Sequence, residues 1–420
     1  GLVGCDTSSI VPGGSGGVMY LTQREYSLHA TVLGRSYPSP EQAQAVIAQL
    51  ASGAAVLGVS LSTAAGLVYL MLRWRKKGDG VSQQQLMHAP KPQDSSILLK
   101  RILVIAIPVC LGSLAVNLSG IIDLLTVTGR LSHVMDTAPQ QLLACYGQNI
   151  PQAELVNGTV HNYLYGAYSG KAVVIANLVP ALTTGMAVSA LPAVAESFAR
   201  GNRLRTQKSI QMVLRITALF CVPAGLGISA LSQEVCSLFF GMNSEVMVGA
   251  PLLRVLGLAS IFIALTGTTN SLLQAVGRVS LPVKLILIGS AIKLAMNYLL
   301  VGIPQLNIQA APWSTLACYV AITLLSLVAL RRTVGPLGVL GVFGKPLLAG
   351  LLCAVAARLT QNMLMQVTAS RFAVLLSAAV GAAVYLVGLL LLRALKKEDI
   401  MMLPKGEKMA KILEKYSLLG

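Results

Sequence analysis

Charged residues are scarce in this sequence of 420 residues. Only 11% of the chain is Asp, Glu, Lys or Arg, whereas about 25% is usual for a soluble domain. Hydrophobic residues make up 55% of the chain, and its mean hydropathy is +0.71. These values exclude an ordinary soluble domain and indicate a protein that is embedded in a membrane.

Motifs of the common enzyme classes are missing as well. The sequence contains no GxSxG, no HExxH and no P-loop, and no apolar segment carries paired carboxylates. The four histidines share no spacing and the seven cysteines form no CxxC motif, so neither a metal site nor a cofactor is predicted. We therefore expect a protein that is not an enzyme. Without a nucleotide-binding loop, any transport would depend on a gradient or on a partner.

Long apolar segments take up most of the chain. Because a membrane-spanning helix needs about 20 apolar residues, the sequence predicts about nine spans. Pro108 and Pro180 are expected to interrupt the second and third of them. The predicted fold class is an all-α polytopic membrane protein. The cores of the spans lie near residues 46–72, 102–127, 164–195, 211–231, 248–273, 282–302, 310–330, 346–364 and 372–394.

Positive charge is concentrated in alternate loops. Lys and Arg outnumber Asp and Glu by 32 to 15, which gives a net charge of +17. Basic residues cluster at Arg73–Lys77, Arg200–Lys208 and Arg331–Lys345, while the loops between them hold little beyond Arg130 and Arg371. By the positive-inside rule the basic loops and the C-terminus are cytoplasmic, in a multi-pass protein of the cell membrane. The excess charge favours anionic lipid headgroups as partners rather than nucleic acid.

The two ends of the chain differ from the spans between them. Residues 1–43 would form an outer N-terminal segment, and they contain no secretory signal. Residues 396–420 predict an amphipathic cytoplasmic tail. An odd number of spans with an outer N-terminus favours a fragment that lacks upstream helices, with processing or N-out insertion as the alternatives.

Two cysteines, Cys145 and Cys236, fall near the predicted outer side. A disulfide between them and a pair of free thiols are both compatible with the sequence. Most of the other cysteines lie within apolar spans, where cysteine usually acts as a small hydrophobe.

Polar residues align on the predicted helix of residues 282–302. Ser290, Lys293 and Asn297 are spaced i, i+3 and i+7, so that they share one face of an otherwise apolar helix. A charge at the bilayer centre costs about 2.5–3.5 kcal/mol on insertion scales. We therefore expect this face to avoid lipid and to line a polar cavity.

Further polar residues are candidates for the same cavity. Asn270 and Gln274 recur four residues apart on one predicted helix, and Asp123, Lys171 and Asn177 lie in two earlier spans. Polar residues of this kind also act as contacts between helices, worth about 0.6 kcal/mol each. Charged residues near span ends can instead extend to the interface.

Several segments resemble a known transporter family. The stretch TGTTNSLLQAVGRVSLPVKLILIGSAIKLAMNYLLVGIPQLNIQAAPWSTLACY has a helix ending in LQ-x-x-G, a basic turn with proline, and a helix carrying K-x-x-x-N-Y. It resembles the polysaccharide exporter and flippase branch of the multidrug/oligosaccharidyl-lipid/polysaccharide (MOP) superfamily. IPVCLGSLAVNLSGIID and VPALTTGMAVSALPAVAES resemble preceding helices of that branch, and KKEDIMMLPKGEKMAKIL resembles the end of stage V sporulation protein B-like members. The resemblance covers about residues 45–415.

This resemblance implies a fold of fourteen transmembrane helices in two six-helix lobes plus two extra helices. Residues 44–76 would be the sixth helix, 97–332 the C-terminal lobe and 345–395 the two extra helices. The N-terminal lobe would then be missing, and it or a second chain would complete the cavity. Lipid II flippases of the superfamily carry a cavity arginine near the start of the eighth helix, close to the place that Lys171 occupies here.

The implied function is the export of a lipid-linked oligosaccharide or peptidoglycan precursor, such as lipid II, by alternating access. Expected partners are this lipid-linked glycan, membrane lipids and, if a gradient drives transport, a coupling ion. The expected cavity residues are Lys171, Asn177, Asn270, Gln274, Lys293, Asn297 and Asp123. A drug/cation antiporter of the same superfamily is one alternative. The other is a membrane-embedded polymerase or glycosyltransferase, which would use residues such as Asp136 and Glu154 of the outer loop.

Overall fold

The structure is a computed structural model, and the residues that it describes are 88% helical. This confirms the predicted all-α class. The amphipathic tail predicted at 396–420 lies outside the described residues, and so does much of the segment 1–43. The residues that the structure describes are 22–27, 31–32, 34–36, 40–78, 94–365 and 371–392.

The chain divides into two compact units, residues 1–98 and 99–420. In the first unit, strands β1 (Thr31–Val32) and β2 (Arg35–Ser36) pair antiparallel, with Thr31 opposite Ser36. Helix α1 (Pro40–Lys77) follows them and contacts β1.

The second unit is a bundle of helices. Helix α2 (Ser95–Thr137) leads into it, and the division between the units falls in the first turn of this helix. Single turns of 3-10 helix lie at Gly147–Asn149 and Asn307–Gln309, and a π-helical turn lies at Tyr168–Ala172. The remaining helices are α3 (Pro139–Tyr146), α4 (Gln152–Val156), α5 (Val160–Ala167), α6 (Val173–Ala176), α7 (Leu178–Ala199), α8 (Arg203–Ala230), α9 (Ser232–Phe240), α10 (Ser244–Ala275), α11 (Leu281–Leu300), α12 (Ala310–Val334), α13 (Val339–Met365) and α14 (Arg371–Leu391).

Seven of the described helical segments are long and apolar enough to cross a membrane. They coincide with seven of the nine predicted spans. The other two predicted spans, 102–127 and 164–195, are helical but are not among the seven. The seven segments are Gly53–Lys76, Arg203–Ala230, Ser244–Ala275, Leu281–Leu300, Asn307–Val334, Gly341–Met365 and Ala373–Leu391.

The two expected proline interruptions have different outcomes. The interruption expected at Pro108 is wrong, since α2 continues through this residue without a break. An interior proline removes one backbone hydrogen bond and crowds the carbonyl four residues earlier, which can bend a helix without ending it. The third span is interrupted, with α6 ending at Ala176 and α7 beginning at Leu178. Pro180 has no N–H with which to bond the carbonyl of Ala176, and this accounts for the position of the break.

Side chains and glycines set several helix ends. Asn202 and Asn243 act as N-caps, accepting hydrogen bonds from the backbone N–H of Arg205 at 3.0 Å and of Val246 at 2.9 Å. Such caps satisfy N–H groups that have no partner inside the helix. At the C-terminal end of α12, Gly335 adopts a φ of 109°, which residues with a side chain rarely reach.

Helix α10 occupies the centre of the bundle, in contact with α7, α8, α9 and α12. Its backbone approaches α8 closely at Gly257. A Cβ added there would lie 2.7 Å from the backbone nitrogen of Ser229 and 2.9 Å from the carbonyl oxygen of Gly225. Small residues at helix interfaces allow such close packing in membranes. Helices α13 and α14 pack against each other, and α13 also packs against α8.

Candidate functional site

An ion pair lies inside the bundle between α2 and α11. The Nζ atom of Lys293 is 2.6 Å from Oδ2 of Asp123, and the two side chains are only 4% and 10% exposed. The same ammonium group donates a hydrogen bond to Oγ of Ser119 at 3.2 Å. Since ionisable residues within membrane spans are rare and usually functional, this pair is the starting point for the site.

Asn297 binds the same carboxylate one turn further along α11. Its Nδ2 donates to Oδ1 of Asp123 at 2.9 Å and to Oγ1 of Thr126 at 3.2 Å. Its Oδ1 accepts a hydrogen bond from Ser314 at the start of α12. Asn297 therefore connects three helices and is completely buried.

Tyr168 adds a fourth element to this network. The π-helical turn at Tyr168–Ala172 holds the Tyr168 hydroxyl 3.3 Å from Oδ2 of Asp123 and 3.2 Å from Oγ1 of Thr315. Such turns occur frequently at functional sites. We call the group formed by Ser119, Asp123, Tyr168, Lys293, Asn297, Ser314 and Thr315 the Asp123 cluster.

The polar face predicted for α11 is buried as a whole. Ser290, Lys293 and Asn297 are all buried, which confirms that this face does not meet lipid. Within the cluster, Asp123 receives hydrogen bonds from three side chains, so its charge is compensated by protein groups. The hydroxyl of Ser290 has no hydrogen-bond partner among the described residues. That this face lines a cavity stays a prediction.

Lys171 lies on the same π-helical turn as Tyr168 but makes separate contacts. Its ammonium group forms an ion pair with Glu245 and lies 3.5 Å from Oδ1 of Asn243. It also lies 5.2 Å from the ring centre of Phe240. Its side chain is 14% exposed and that of Glu245 is 45% exposed. This pair is therefore more accessible than the one between Asp123 and Lys293.

The other three expected cavity residues are dispersed. Asn177 is exposed at the break between α6 and α7. Gln274 is half-buried near the end of α10, and Asn270 has a buried Oδ1 with no partner among the described residues. The structure brings Asp123, Lys293 and Asn297 together, while it leaves Lys171, Asn177, Asn270 and Gln274 outside the cluster.

Several polar residues inside the bundle have no signal in the sequence. Tyr168, Ser314 and Thr315 complete the Asp123 cluster, but Ser314 and Thr315 are adjacent in the chain and Tyr168 is far from both, so no helical spacing connects the three. Glu234 at the start of α9 is also buried, where it pairs with Arg358 of α13 at 2.9 Å. No spacing along the chain links these two residues, which lie on separate helices.

Arg254 is not among the predicted site residues either. It is exposed and lies within the spanning helix α10, where it makes no ion pair or hydrogen bond to the residues that the structure describes. At 3.6 residues per turn it lies about 160° around the helix from Asn270. The free cation of α10 and the polar stripe predicted on the same helix therefore point in different directions.

Tyr163 lies beside the predicted outer loop and outside the predicted spans. Tyr163 donates a hydrogen bond to the carbonyl oxygen of Asn149 at 3.0 Å. Burial of its hydroxyl, together with the carboxylates of Glu245 and Glu154, raises the pKa of Tyr163 to about 12. Its hydroxyl therefore stays protonated well above the ordinary tyrosine range.

The described residues contain no group of three or more His, Cys, Asp or Glu side chains that could hold a metal ion. Cys145 is an exposed free thiol and Cys236 is a buried one. Burial raises the pKa of Cys236 to about 11, since the charged thiolate is disfavoured away from water. Both predicted outer cysteines are thus thiols in this structure.

Comparison with known proteins identifies the family. Residues 131–388 match the family described as "Lipid II flippase MurJ", and this stretch is more than half of the chain. The chain belongs to the lipid II flippase MurJ family. The match confirms the resemblance to a flippase branch that the sequence suggested. It includes Lys171, Lys293 and Asn297, whereas Asp123 precedes it.

Individual relatives match less of the chain. The lipid II flippase MurJ of Bacillus subtilis (strain 168) is 27% identical over 155 residues, which are 37% of this chain and 28% of that protein. A solved MOP superfamily transporter from Pyrococcus furiosus gives a TM-score of 0.38 at 14% identity, and the match covers 74% of this chain and 67% of the transporter. An outward-facing multidrug resistance MATE family transporter gives 0.38 at 15% identity, covering 75% of this chain and 68% of its own.

Proposed function

We propose that the protein moves a lipid-linked oligosaccharide or peptidoglycan precursor, such as lipid II, across the cytoplasmic membrane. The observation that carries this proposal is the match of residues 131–388 to the lipid II flippase MurJ family. Polar and charged residues inside the helices support it, because a large hydrophilic headgroup needs a polar path through the hydrocarbon region.

In this proposal the Asp123 cluster and Lys171 have different roles. The charges of Asp123 and Lys293 are already satisfied by protein groups, so we propose that the cluster fixes the relative positions of α2, α11, α12 and the π-helical turn. Alternating access would then move these elements as one body.

Lys171 is proposed to meet the substrate. Its partner Glu245 is 45% exposed, and a phosphate group that approaches from the accessible side could replace that carboxylate. Lysine binds phosphate as a point charge, without the two-pronged geometry of arginine. Asn177, Asn270 and Gln274 are proposed to line the same path, as the sequence predicted.

The architecture of the transporter is part of the proposal. Residues 97–332 would form the C-terminal lobe and 345–395 the two extra helices, with a cytoplasmic C-terminus. A further lobe or a second chain would close the cavity, and a coupling ion would supply the driving force. The antiporter alternative is weaker because Asp123, the carboxylate it would use, is paired with Lys293 at 2.6 Å.

The enzyme alternative has little support from the outer loop. Asp136 is exposed on the last turns of α2, whereas Glu154 binds the hydroxyl of Thr159. These two carboxylates make no shared contact among the described interactions, so we do not expect them to act as a catalytic pair.

Depletion of the full-length protein in its native cell tests the proposal. We expect the lipid-linked precursor to accumulate at the cytoplasmic face and to fall at least tenfold at the outer face, measured with a membrane-impermeant label. A copy with Lys171→Gln should restore outer-face precursor poorly, whereas Lys208→Gln, at an exposed position near the start of α8, should restore it fully. Unchanged outer-face precursor after depletion would contradict the proposal.

A further inference from the structure

Arg130 of α2 is a cation with no carboxylate partner in the described part of the chain. Lys293, Lys171 and Arg358 each form an ion pair, whereas Arg130 forms none with the described residues. Its Nε atom is buried and has no hydrogen-bond acceptor there. Asp123, seven residues earlier on the same face of α2, is already bound to Lys293. No described carboxylate therefore balances the charge of Arg130.

The guanidinium group of Arg130 is held in a defined place. It lies over the ring of Tyr298, with its Cζ atom 4.6 Å from the ring centre. A Cβ added to Gly302 would lie 2.8 Å from the Cζ and Nε atoms of Arg130, so the group occupies space that only a glycine leaves free. Because stacking and packing already fix the side chain, a ligand would lose little of its binding energy in ordering it.

The position of this group along the helices indicates which ligand it meets. Tyr298 lies in the last turn of α11, a membrane-spanning segment, and is 57% exposed. Leu299 and Trp313, near the same end of α11 and α12, are also exposed. Exposed aromatic residues at span ends are typical of the membrane–water interface, where lipid headgroups lie. Arginine binds phosphate through two parallel hydrogen bonds, which suits it to a lipid phosphate at this level.

We propose that Arg130 and Tyr298 form a binding site for the phosphate group of a membrane lipid at this end of the helices. The loop charges predict that this end faces outward. The phosphate could belong to a resident phospholipid or to the diphosphate of a polyprenyl-linked lipid, since the guanidinium would bind both in the same way. A resident phospholipid would occupy the site whether or not the proposed flippase function holds, whereas binding of a polyprenyl diphosphate rests on that function.

Lipid retention by the purified full-length protein tests this site. The protein would be placed in nanodiscs that contain phosphatidylglycerol, in a second set with undecaprenyl diphosphate added, and in a third with diacylglycerol. Lipids that remain bound after extraction would be counted by native mass spectrometry. We expect Arg130→Gln to reduce retention of at least one phosphate-bearing lipid fivefold or more, with diacylglycerol unaffected. Arg278→Gln, an exposed arginine at the opposite end of the helices, is the matched control and should change nothing.

A second variant keeps the test independent of folding. The three atoms nearest to a Cβ at Gly302 all belong to the guanidinium of Arg130 and none to the backbone, so we expect Gly302→Ala to displace that group while the bundle folds normally. It should lower phosphate-lipid retention as Arg130→Gln does. A loss confined to phosphatidylglycerol would assign the site to resident phospholipid, and a loss confined to undecaprenyl diphosphate would assign it to the polyprenyl lipid. Full retention of both lipids by the two variants would overturn the proposal.

Discussion

Removal of one partner from the Asp123–Lys293 pair should destabilise the bundle strongly. At a separation of 2.6 Å and an effective dielectric constant of about 20, the attraction between the two charges is about 6 kcal/mol. The loss of hydration offsets much of this attraction in the intact pair. When one partner is removed, the other charge stays buried without its counterion, and this typically costs 3–5 kcal/mol.

The remaining hydrogen bonds predict which variant is worse. Without Lys293, Asp123 still receives hydrogen bonds from Asn297 and Tyr168, whereas Lys293 without Asp123 keeps only Ser119 among its described partners. We therefore expect Lys293→Met to lower the free energy of unfolding by about 3 kcal/mol and Asp123→Leu by about 5 kcal/mol. The double variant should be less damaged than either single variant, since no buried charge is left.

Unfolding in mixed micelles with a rising fraction of denaturing detergent measures these differences. Ser290→Ala is the matched control, because its buried hydroxyl has no partner among the described residues, so its removal breaks no hydrogen bond and should not lower stability. Two results would refute the idea of a buried, mutually dependent pair. One is a free energy of unfolding within about 1 kcal/mol of the wild type in the single variants, and the other is a loss in the double variant equal to the sum of the two single losses.

Three further predictions concern other parts of the bundle. Gly257→Ala should lower stability by about 1–3 kcal/mol in the same unfolding assay, because its Cβ would press on the backbone of Ser229, whereas Gly227→Ala has open space and should be tolerated. Arg358→Met should destabilise the contact between α13 and α9, because it leaves buried Glu234 unpaired. Protease cleavage after α13 should then become faster than in the wild type, and equal cleavage rates would argue against this. Tyr163 has a pKa of about 12 in the folded protein against 10.0 for an unperturbed tyrosine, so its contribution to stability should be complete below pH 10 and fall as the pH rises toward 12. In the Tyr163→Phe variant the fall of stability between pH 10 and 12 should be smaller. A titration of this variant followed by tyrosinate absorbance should show one fewer tyrosine that ionises at high pH.

The sequence alone predicts the parts of this structure that depend on local pattern. Apolar length identifies the seven spans, and the i, i+3, i+7 spacing identifies the buried face of α11. Both follow from helix geometry and the high free energy of charge in hydrocarbon, which act within one segment.

The parts that depend on packing between helices could not be predicted in this way. The spacing on α11 singles out Lys293, but it does not indicate the partner Asp123, which lies 170 positions earlier in the chain. The π-helical turn that directs Tyr168 to the same carboxylate has no periodic signal in the sequence. Arg254 lies in an apolar stretch, and the neighbouring helices decide which face of that stretch is exposed.

Transport by the purified full-length protein in liposomes is the most direct test of the proposed function. Fluorescent lipid II would be placed in the inner leaflet, and its arrival outside would be followed by quenching with an impermeant reductant. We expect the wild type to expose lipid II at least tenfold faster than protein-free liposomes, and Lys171→Gln to lose most of this activity while Lys208→Gln keeps it. Exposure no faster than in protein-free liposomes, by protein that is folded and correctly inserted, would contradict the assignment of flippase activity to this chain.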